Sequence, residues 1–300
     1  MRRLYLTFLL ILAASAVAQQ DFSKVEVKAT KVAGSVYMLT GAGGNIGASV
    51  GDDGIVIVDD QYAPLAPKIE AALKSITDKP VRFILNTHYH GDHTGGNEHF
   101  GKSAPIVAHE NVRKRLATGS VRGGTTIPAA PAGALPVLTF NDSVTIHLNG
   151  EDVRAVHMPH GHTDGDSVIW FTKSNVVHMG DDYFNGFFPF VDTENGGSVS
   201  GLIENIDKVL STIPNDARVI PGHGPLSDKA GLRAFLDVLR GTREVVAKGV
   251  AAGKTAAQLK EEKALAQWDA AWGQGFIKTN AWIDTLYADV TSPRTRTHKH

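Results

Sequence analysis

The run His88-Tyr89-His90-Gly91-Asp92-His93 packs three imidazoles and a carboxylate into six residues, and no other feature of the chain constrains its fold as strongly. Alternation along an extended segment puts His88 and His90 on one side. Asp92 and His93 follow where the chain bends toward Thr94-Gly95-Gly96. One pair can reach one metal ion, and the other pair its neighbour.

Such a motif needs partners, and strand ends are where a sheet presents side chains from distant parts of a sequence. Four apolar, β-rich runs end in candidate ligands. Val81 to Leu85 leads into the first motif, and Val153 to Val156 leads into His160-Gly161-His162-Thr163. Val176-Val177 leads into His178-Met179-Gly180-Asp181, and Arg218 to Ile220 leads into Pro221-Gly222-His223-Gly224.

In this order the chain resembles the metallo-β-lactamase superfamily, whose pattern is His-x-His-x-Asp-His, a His in a Gly-His-Thr turn, an Asp or Cys, and a last His. The matching positions are His88, His90, Asp92, His93, His162, Asp181 and His223, and the resemblance runs from about residue 30 to about residue 240. It implies an α+β fold, the four-layer αβ/βα sandwich with two mixed sheets and added C-terminal helices, with metal at the open edge between the sheets. By the same resemblance His88, His90 and His162 hold a first ion, Asp92, His93 and His223 a second, and Asp181 bridges them. Imidazole and carboxylate ligands without thiolate suit two Zn²⁺ and also admit Fe or Mn; the expectation is zinc, with iron as the rival. His157 and His160 compete with His162, whose Gly-His-Thr context favours it, and Asp182 competes with Asp181 but reads as a polar loop residue. His99, His109, His147 and His178 have no ligand-like setting and read as surface or satisfied core histidines, while His298 and His300 belong to a polar tail.

Two adjacent cations lower the pKa of a shared water to about 7, which supplies hydroxide at neutral pH without a protein nucleophile. Asp92 is then the expected catalytic residue, orienting the hydroxide and passing its proton to the leaving atom. The expected activity is that of an exported binuclear hydrolase acting with a metal-bound hydroxide on an activated cyclic amide or ester carbonyl of a small-molecule substrate. β-Lactam ranks first, and lactone or thioester (glyoxalase II-like) next. The position three residues past the bridging Asp is Phe184, where Cys-bridged β-lactamases usually place a Lys for the drug carboxylate, so the Asp bridge leans toward the thioesterase and lactonase branches. A di-iron redox protein would use the same ligands, but its usual flavin-binding domain is missing from the roughly 60 residues after the sandwich. A metal-binding protein without catalysis fits poorly with an intact Asp92.

The glycine-rich stretch Gly41 to Gly47 is not a nucleotide loop, because Ile46 stands where Gly-x-Gly-x-x-Gly needs its last glycine. Instead, Ala48 to Val50, the turn Asp52-Asp53-Gly54 and Ile55 to Val58 read as two strands around a tight turn. Asp59 closes the second strand, where it reads either as a simple strand-end cap or as the match to the position that, in the family, supports the metal loop from behind.

Arg2 and Arg3 precede an apolar run from Leu4 to Leu12 and a small-x-small site at Ala16-Val17-Ala18, the pattern of a signal peptide over residues 1–18 cleaved near Ala18. The run is too short to span a bilayer, so the expectation is a periplasmic or secreted protein with no stable membrane anchor. Losing Arg2 and Arg3 lowers the net charge of −1 by two units, which offers nucleic acid no electrostatic footprint. The Arg113-Lys114-Arg115 cluster reads as a solvated helix face. With no Cys, the exported fold must rest on its core and its bound ions.

The catalytic domain is expected over 19–240, with a helical extension and polar tail over 241–300 around Trp268, Trp272 and Trp282. Within the domain, helices are expected near Pro64 to Ser75, around Asn97 and Asn111, over Val199 to Ser211 and over Asp228 to Arg240, with a hairpin turn at Asn149-Gly150. Gly119 to Pro136 has no apolar periodicity and reads as a long loop, in the place of a lid or substrate wall. The aromatic segment Tyr183 to Phe190 forms either an apolar floor for substrate or core packing. Oligomeric state leaves no sequence signal.

Overall fold

In a computed structural model the described residues are 21–292; the expected signal peptide over 1–18 and the tail with His298 and His300 lie outside them. Strands β1 (Lys28–Ala33), β2 (Val36–Thr40), β3 (Ile46–Gly51), β4 (Gly54–Val58), β5 (Val81–Leu85) and β6 (Ile106–His109) form most of one sheet. β7 (Ser120–Arg122) and β8 (Thr125–Ile127) pair with each other, and β9 (Leu138–Phe140) completes the first sheet beside β6. Its first half is antiparallel and its second half, from β4 to β9, parallel. The second sheet places β10 (Ser143–Leu148), β11 (Glu151–His157), β12 (Ser167–Phe171), β13 (Val176–His178), β14 (Arg218–Ile220) and β15 (Ser227–Asp228) in chain order. Only β13 and β14 run parallel in it.

The helices are α1 (Ala66–Lys74), α2 (Gly91–Thr94), α3 (Asn97–Phe100), α4 (Glu110–Thr118), α5 (Val199–Thr212), α6 (Lys229–Ala251), α7 (Ala256–Glu261), α8 (Ala266–Trp272) and α9 (Thr279–Thr291). Strand β4, Gly-Ile-Val-Ile-Val, is buried along its whole length because it has helix on one face and sheet on the other. Ile55 and Ile57 pack with Leu65, Ile69 and Leu73 on the α1 side, while Val56 and Val58 meet Val153, Ile169, Phe171 and Ile220 of the second sheet. That is alternation with both faces apolar. On the far side Leu202, Ile206, Leu232, Phe235 and Leu286 cover Val168, Val177 and Val219, which gives the αβ/βα sandwich. Asn149 and Gly150 adopt φ of 58° and 66° in the expected two-residue hairpin between β10 and β11.

Three readings change. Residues 119–136 are no plain loop: Gly123 and Gly124, at φ 56° and 73°, turn a β7–β8 hairpin, followed by a short 3-10 turn at Ala132–Ala134. Gly-Gly was its signal, and exposed flanking strands without apolar alternation hid it. α6 runs past Arg240 to Ala251, so residues 241–251 continue a helix of the sandwich. Trp282 of α9 is buried and donates Nε1–H to Thr242 Oγ1 on α6 at 3.1 Å, which fastens the last helix to that one. Finally, Arg113–Arg115 is not simply solvated: Arg113 bonds the Pro136 carbonyl, and Arg115 pairs with Asp164 and bonds Asn195.

Candidate metal centre

The four expected strand tips converge. β5 leads through Asn86-Thr87 into the motif, where His90 is still extended, at φ −65° and ψ 145°, and caps the single helical turn α2. That change from extended to helical splits the motif. His88 and His90 join His162, from the β11–β12 connection, and Asp181, past β13, whereas Asp92 and His93 join His223, past β14. Within each group one ligand atom per residue lies within 4.8 Å of the others.

His162 Nε2 is 2.8 Å from His90 Nδ1 and 3.4 Å from Asp181 Oδ2, which is 3.7 Å from His88 Nε2. In the second group His93 Nε2 and His223 Nε2 are 3.3 Å apart, and Asp92 Oδ2 lies 3.3 Å from His223 Nε2 and 3.7 Å from His93 Nε2. Asp181 Oδ1 approaches this second group, at 3.0 Å from His93 Nε2 and 3.3 Å from His223 Nε2. One carboxylate thus faces both groups. Ligand bonds of 2.0–2.2 Å around a tetrahedral cation place the ligand atoms about 3.3 Å apart, which is the spacing seen. His88 Nε2 and Asp181 Oδ1 are buried without a hydrogen-bond partner, an expense that a cation would remove. The residues present fit two cations.

The outward atoms of these rings are tied down, which fixes the nitrogen each offers. His88 Nδ1 meets Thr87 Oγ1 at 3.0 Å, His90 Nε2 donates to Asp192 at 2.9 Å, His93 Nδ1 donates to Asp59 at 2.7 Å, and His162 Nδ1 donates to the Phe190 carbonyl at 2.8 Å. Asp59 therefore does what its position at the end of β4 suggested. It and Gln61 hold left-handed φ of 65° and 56°, strain of about 1–3 kcal/mol each, of the sort that collects at functional sites. His157 instead stacks on His109 at 3.7 Å, and His160 is exposed and bonds the Gly196 carbonyl. Only His162 of the three reaches the cluster. Asp182 is no open loop residue but is buried, accepting from the His162 amide at 3.1 Å and from Asn205 at 3.2 Å. His109 and His178 are satisfied core histidines, and His99 and His147 are surface ones paired with Glu70 and Asp152.

The glycine-rich stretch serves this centre. A Cβ on Gly44 would fall 2.1 Å from His93 Cε1, so the backbone lies flat against the ring. Next to it, the Asn45 side chain donates to the Pro221 and Gly224 carbonyls at 2.9 Å each, holding the His223 turn from both ends. Asp192, Asn45 and Asn195 escaped the sequence reading, because support of this kind has no fixed spacing and Asp192 meets His90 across 102 residues.

Charge divides the two groups. Burial pushes His88 well below the usual imidazole value and His90 down to about 4, so both are neutral with a lone pair to give. Burial also opposes charge on His93 and His223, but Asp181 and its neighbouring carboxylates outweigh it, holding His93 well above its usual value and His223 at about 9. Burial would raise Asp92, yet His93 and His223 hold it far below the carboxylate range.

A cavity of about 470 Å³ opens above the centre, lined by His90, Asp92, Asp181 and His223 below and by Tyr62, Phe184, Phe187, Phe190 and Phe276 at the sides. The segment Tyr183 to Phe190 serves both roles weighed for it: Tyr183 and Phe188 are buried core, while Phe184, Phe187 and Phe190 face the cavity. Phe184 stacks on His223 at 5.2 Å and 17°. Phe276, 83% exposed between α8 and α9, shows that the C-terminal helices help wall the site.

Comparison with known proteins agrees with this geometry. The profile of the family described as "Metallo-beta-lactamase superfamily" matches residues 39–223. A metallo-beta-lactamase type 2 of Bacteroides fragilis is 25% identical over 187 residues, 58% of this chain and 70% of that protein. A hydroxyacylglutathione hydrolase of Nitrosococcus oceani is 29% identical over 152 residues, 49% of this chain and 50% of that protein. The solved metallo-beta-lactamase from Pontibacter korlensis superposes with a TM-score of 0.59 at 19% identity, covering 72% of this chain and 99% of the other, a likeness of fold.

Proposed function

The chain belongs to the metallo-beta-lactamase superfamily, and on that premise we propose that it is an exported di-zinc hydrolase of activated carbonyl compounds, with β-lactam amides as its first substrate class. The coarser statement, a metallo-hydrolase of that superfamily, follows from the family match and the His/Asp cluster. The observation that carries the finer reading is that Asp92 and Asp181 sit at the floor of an aromatic-walled cavity of about 470 Å³, a volume suited to a small organic substrate.

Two divalent cations in such a site supply Lewis acidity for a carbonyl oxygen and bring a water's pKa to near 7. The chain's own groups do the rest. His88, His90 and His162 would hold one cation, Asp92, His93 and His223 the other, and Asp181 both. Asp92, whose side chain is 20% exposed and which lines the cavity, takes the proton of the attacking water on its carboxylate and returns it to the leaving atom. Phe184 stacks on one face of His223 and orients that ring, while Tyr62, Phe187 and Phe190 seat an apolar substrate body.

Thioester or lactone hydrolysis is the second reading, favoured by an oxygen ligand at position 181 and by Phe184 in place of a cation. The relative named hydroxyacylglutathione hydrolase belongs to that side. Export rests on the leader-like residues 1–18. The test is zinc-loaded protein against a chromogenic cephalosporin, a lactone and a glutathione thioester. Fastest turnover of the cephalosporin is expected; faster lactone or thioester cleavage moves the assignment to the second reading, and turnover of none contradicts the hydrolase.

A further inference from the structure

Among the residues lining the cavity, Arg122 alone carries a permanent positive charge. Its guanidinium has no carboxylate within 4.0 Å and no hydrogen bond among the described residues, although it is only partly exposed. Arg113, Arg115, Arg240 and Arg243 each hold a carbonyl or a carboxylate, and Arg154 and Arg218, whose side chains bond nothing among the described residues either, do not line the cavity. The Arg122 guanidinium is not cut off from water, so its five donors stand free at the cavity wall for an acceptor that enters.

The surroundings hold Arg122 in that place. On β7 its neighbour Val121 is 50% exposed, so alternation turns Arg122 to the opposite side. The Val121 carbonyl accepts from Asn195 Nδ2 at 2.8 Å, and the Gly123 amide donates to Glu194 at 2.8 Å. The hairpin is therefore clamped to the 193–195 turn on both sides of the arginine. Its charge reaches the floor and the wall of the cavity, where it bears on His90 and on Tyr62.

We propose that Arg122 is a specificity-determining residue that binds a carboxylate on the substrate. The enzyme then selects a carbonyl compound bearing an apolar body and one carboxylate. This rests on the hydrolase reading above. With the scissile group at the metal centre and the apolar body against the phenylalanines, the carboxylate reaches the hairpin, where the planar guanidinium accepts it two-pronged. Phe184 leaves position 184 without a cation, and the β7–β8 hairpin supplies one from another part of the chain.

Two arms test this. In metal-free protein, binding of phenylacetate and of phenylacetamide is followed by calorimetry in the wild type, Arg122→Ala and Arg122→Lys. The wild type should prefer the acid about tenfold, Arg122→Ala should lose that preference and Arg122→Lys should keep part of it; equal binding of acid and amide by the wild type, or a preference surviving in Arg122→Ala, overturns the proposal. In zinc-loaded protein, kcat and KM are compared for a chromogenic cephalosporin and its carboxylate methyl ester. The acid should have the lower KM in the wild type, and the two substrates should converge in Arg122→Ala; a KM difference that persists there overturns the proposal. If neither substrate turns over, the hydrolase reading fails, and the binding arm still decides the role of Arg122.

Discussion

The Asp192 carboxylate accepts a hydrogen bond from His90 Nε2 at 2.9 Å and thereby fixes which nitrogen of that ring faces the metal centre. It also accepts from Tyr89 at 2.5 Å and from Asn195 Nδ2 on both oxygens, at 2.8 and 3.0 Å. These bonds hold Asp192 down to about 2 against the burial that would raise it. Asp192→Asn should weaken zinc at the His88/His90/His162 group about 10–100-fold while leaving the other group closer to native. Competition with a chelator, read as two separate zinc affinities, checks this.

Asp92→Ala should lower kcat by about 10²–10⁴-fold while most of the fold remains, since six of the seven ligands are intact. Circular dichroism and turnover on one preparation decide it. Unchanged turnover would remove Asp92 from the chemistry.

Gly44 and Gly91 make a matched pair. A Cβ at Gly44 would sit 2.1 Å from the buried His93 ring, whereas nothing lies within 4 Å of one at Gly91. Gly44→Ala should displace His93 and cost zinc at its group; Gly91→Ala, inside the motif itself, should retain both ions. Elemental analysis of the two variants after dialysis is the measurement.

His109 predicts an acid limb. Burial and the stacked His157 bring its pKa from 6.5 to about 4, although the Asn141 carbonyl, Asp164 and Glu110 pull the other way. Unfolded protein therefore binds this proton more readily than folded protein. The stability contribution is intact above pH 6.5 and is lost as pH falls from there through 4. His109→Gln should flatten urea stability against pH in that window, relative to wild type.

Much of the site was legible because the ligands lie in short motifs after apolar runs. The sandwich was legible through the family resemblance that those motifs carry, while Ile-Val-Ile-Val of β4, apolar on both faces, was legible as a strand. The support was not legible. Asp192, Asn195 and Asn45 act by hydrogen bonds that reach partners 102, 74 and 176 residues away, which leave no periodicity. Nor was the β7–β8 hairpin, whose exposed strands carry no alternation, and with it Arg122 stayed hidden as a cavity residue. Arg115 read as solvated because its partners Asp164 and Asn195 lie 49 and 80 residues away.

The central claim is that seven side chains form two adjacent cation sites sharing Asp181. Calorimetric titration of metal-free protein with Zn²⁺ tests it most directly, run beside His162→Ala and His223→Ala. Two equivalents for the wild type and one for each variant is the predicted result. No stoichiometric uptake by the wild type, or two equivalents retained in both variants, would contradict it.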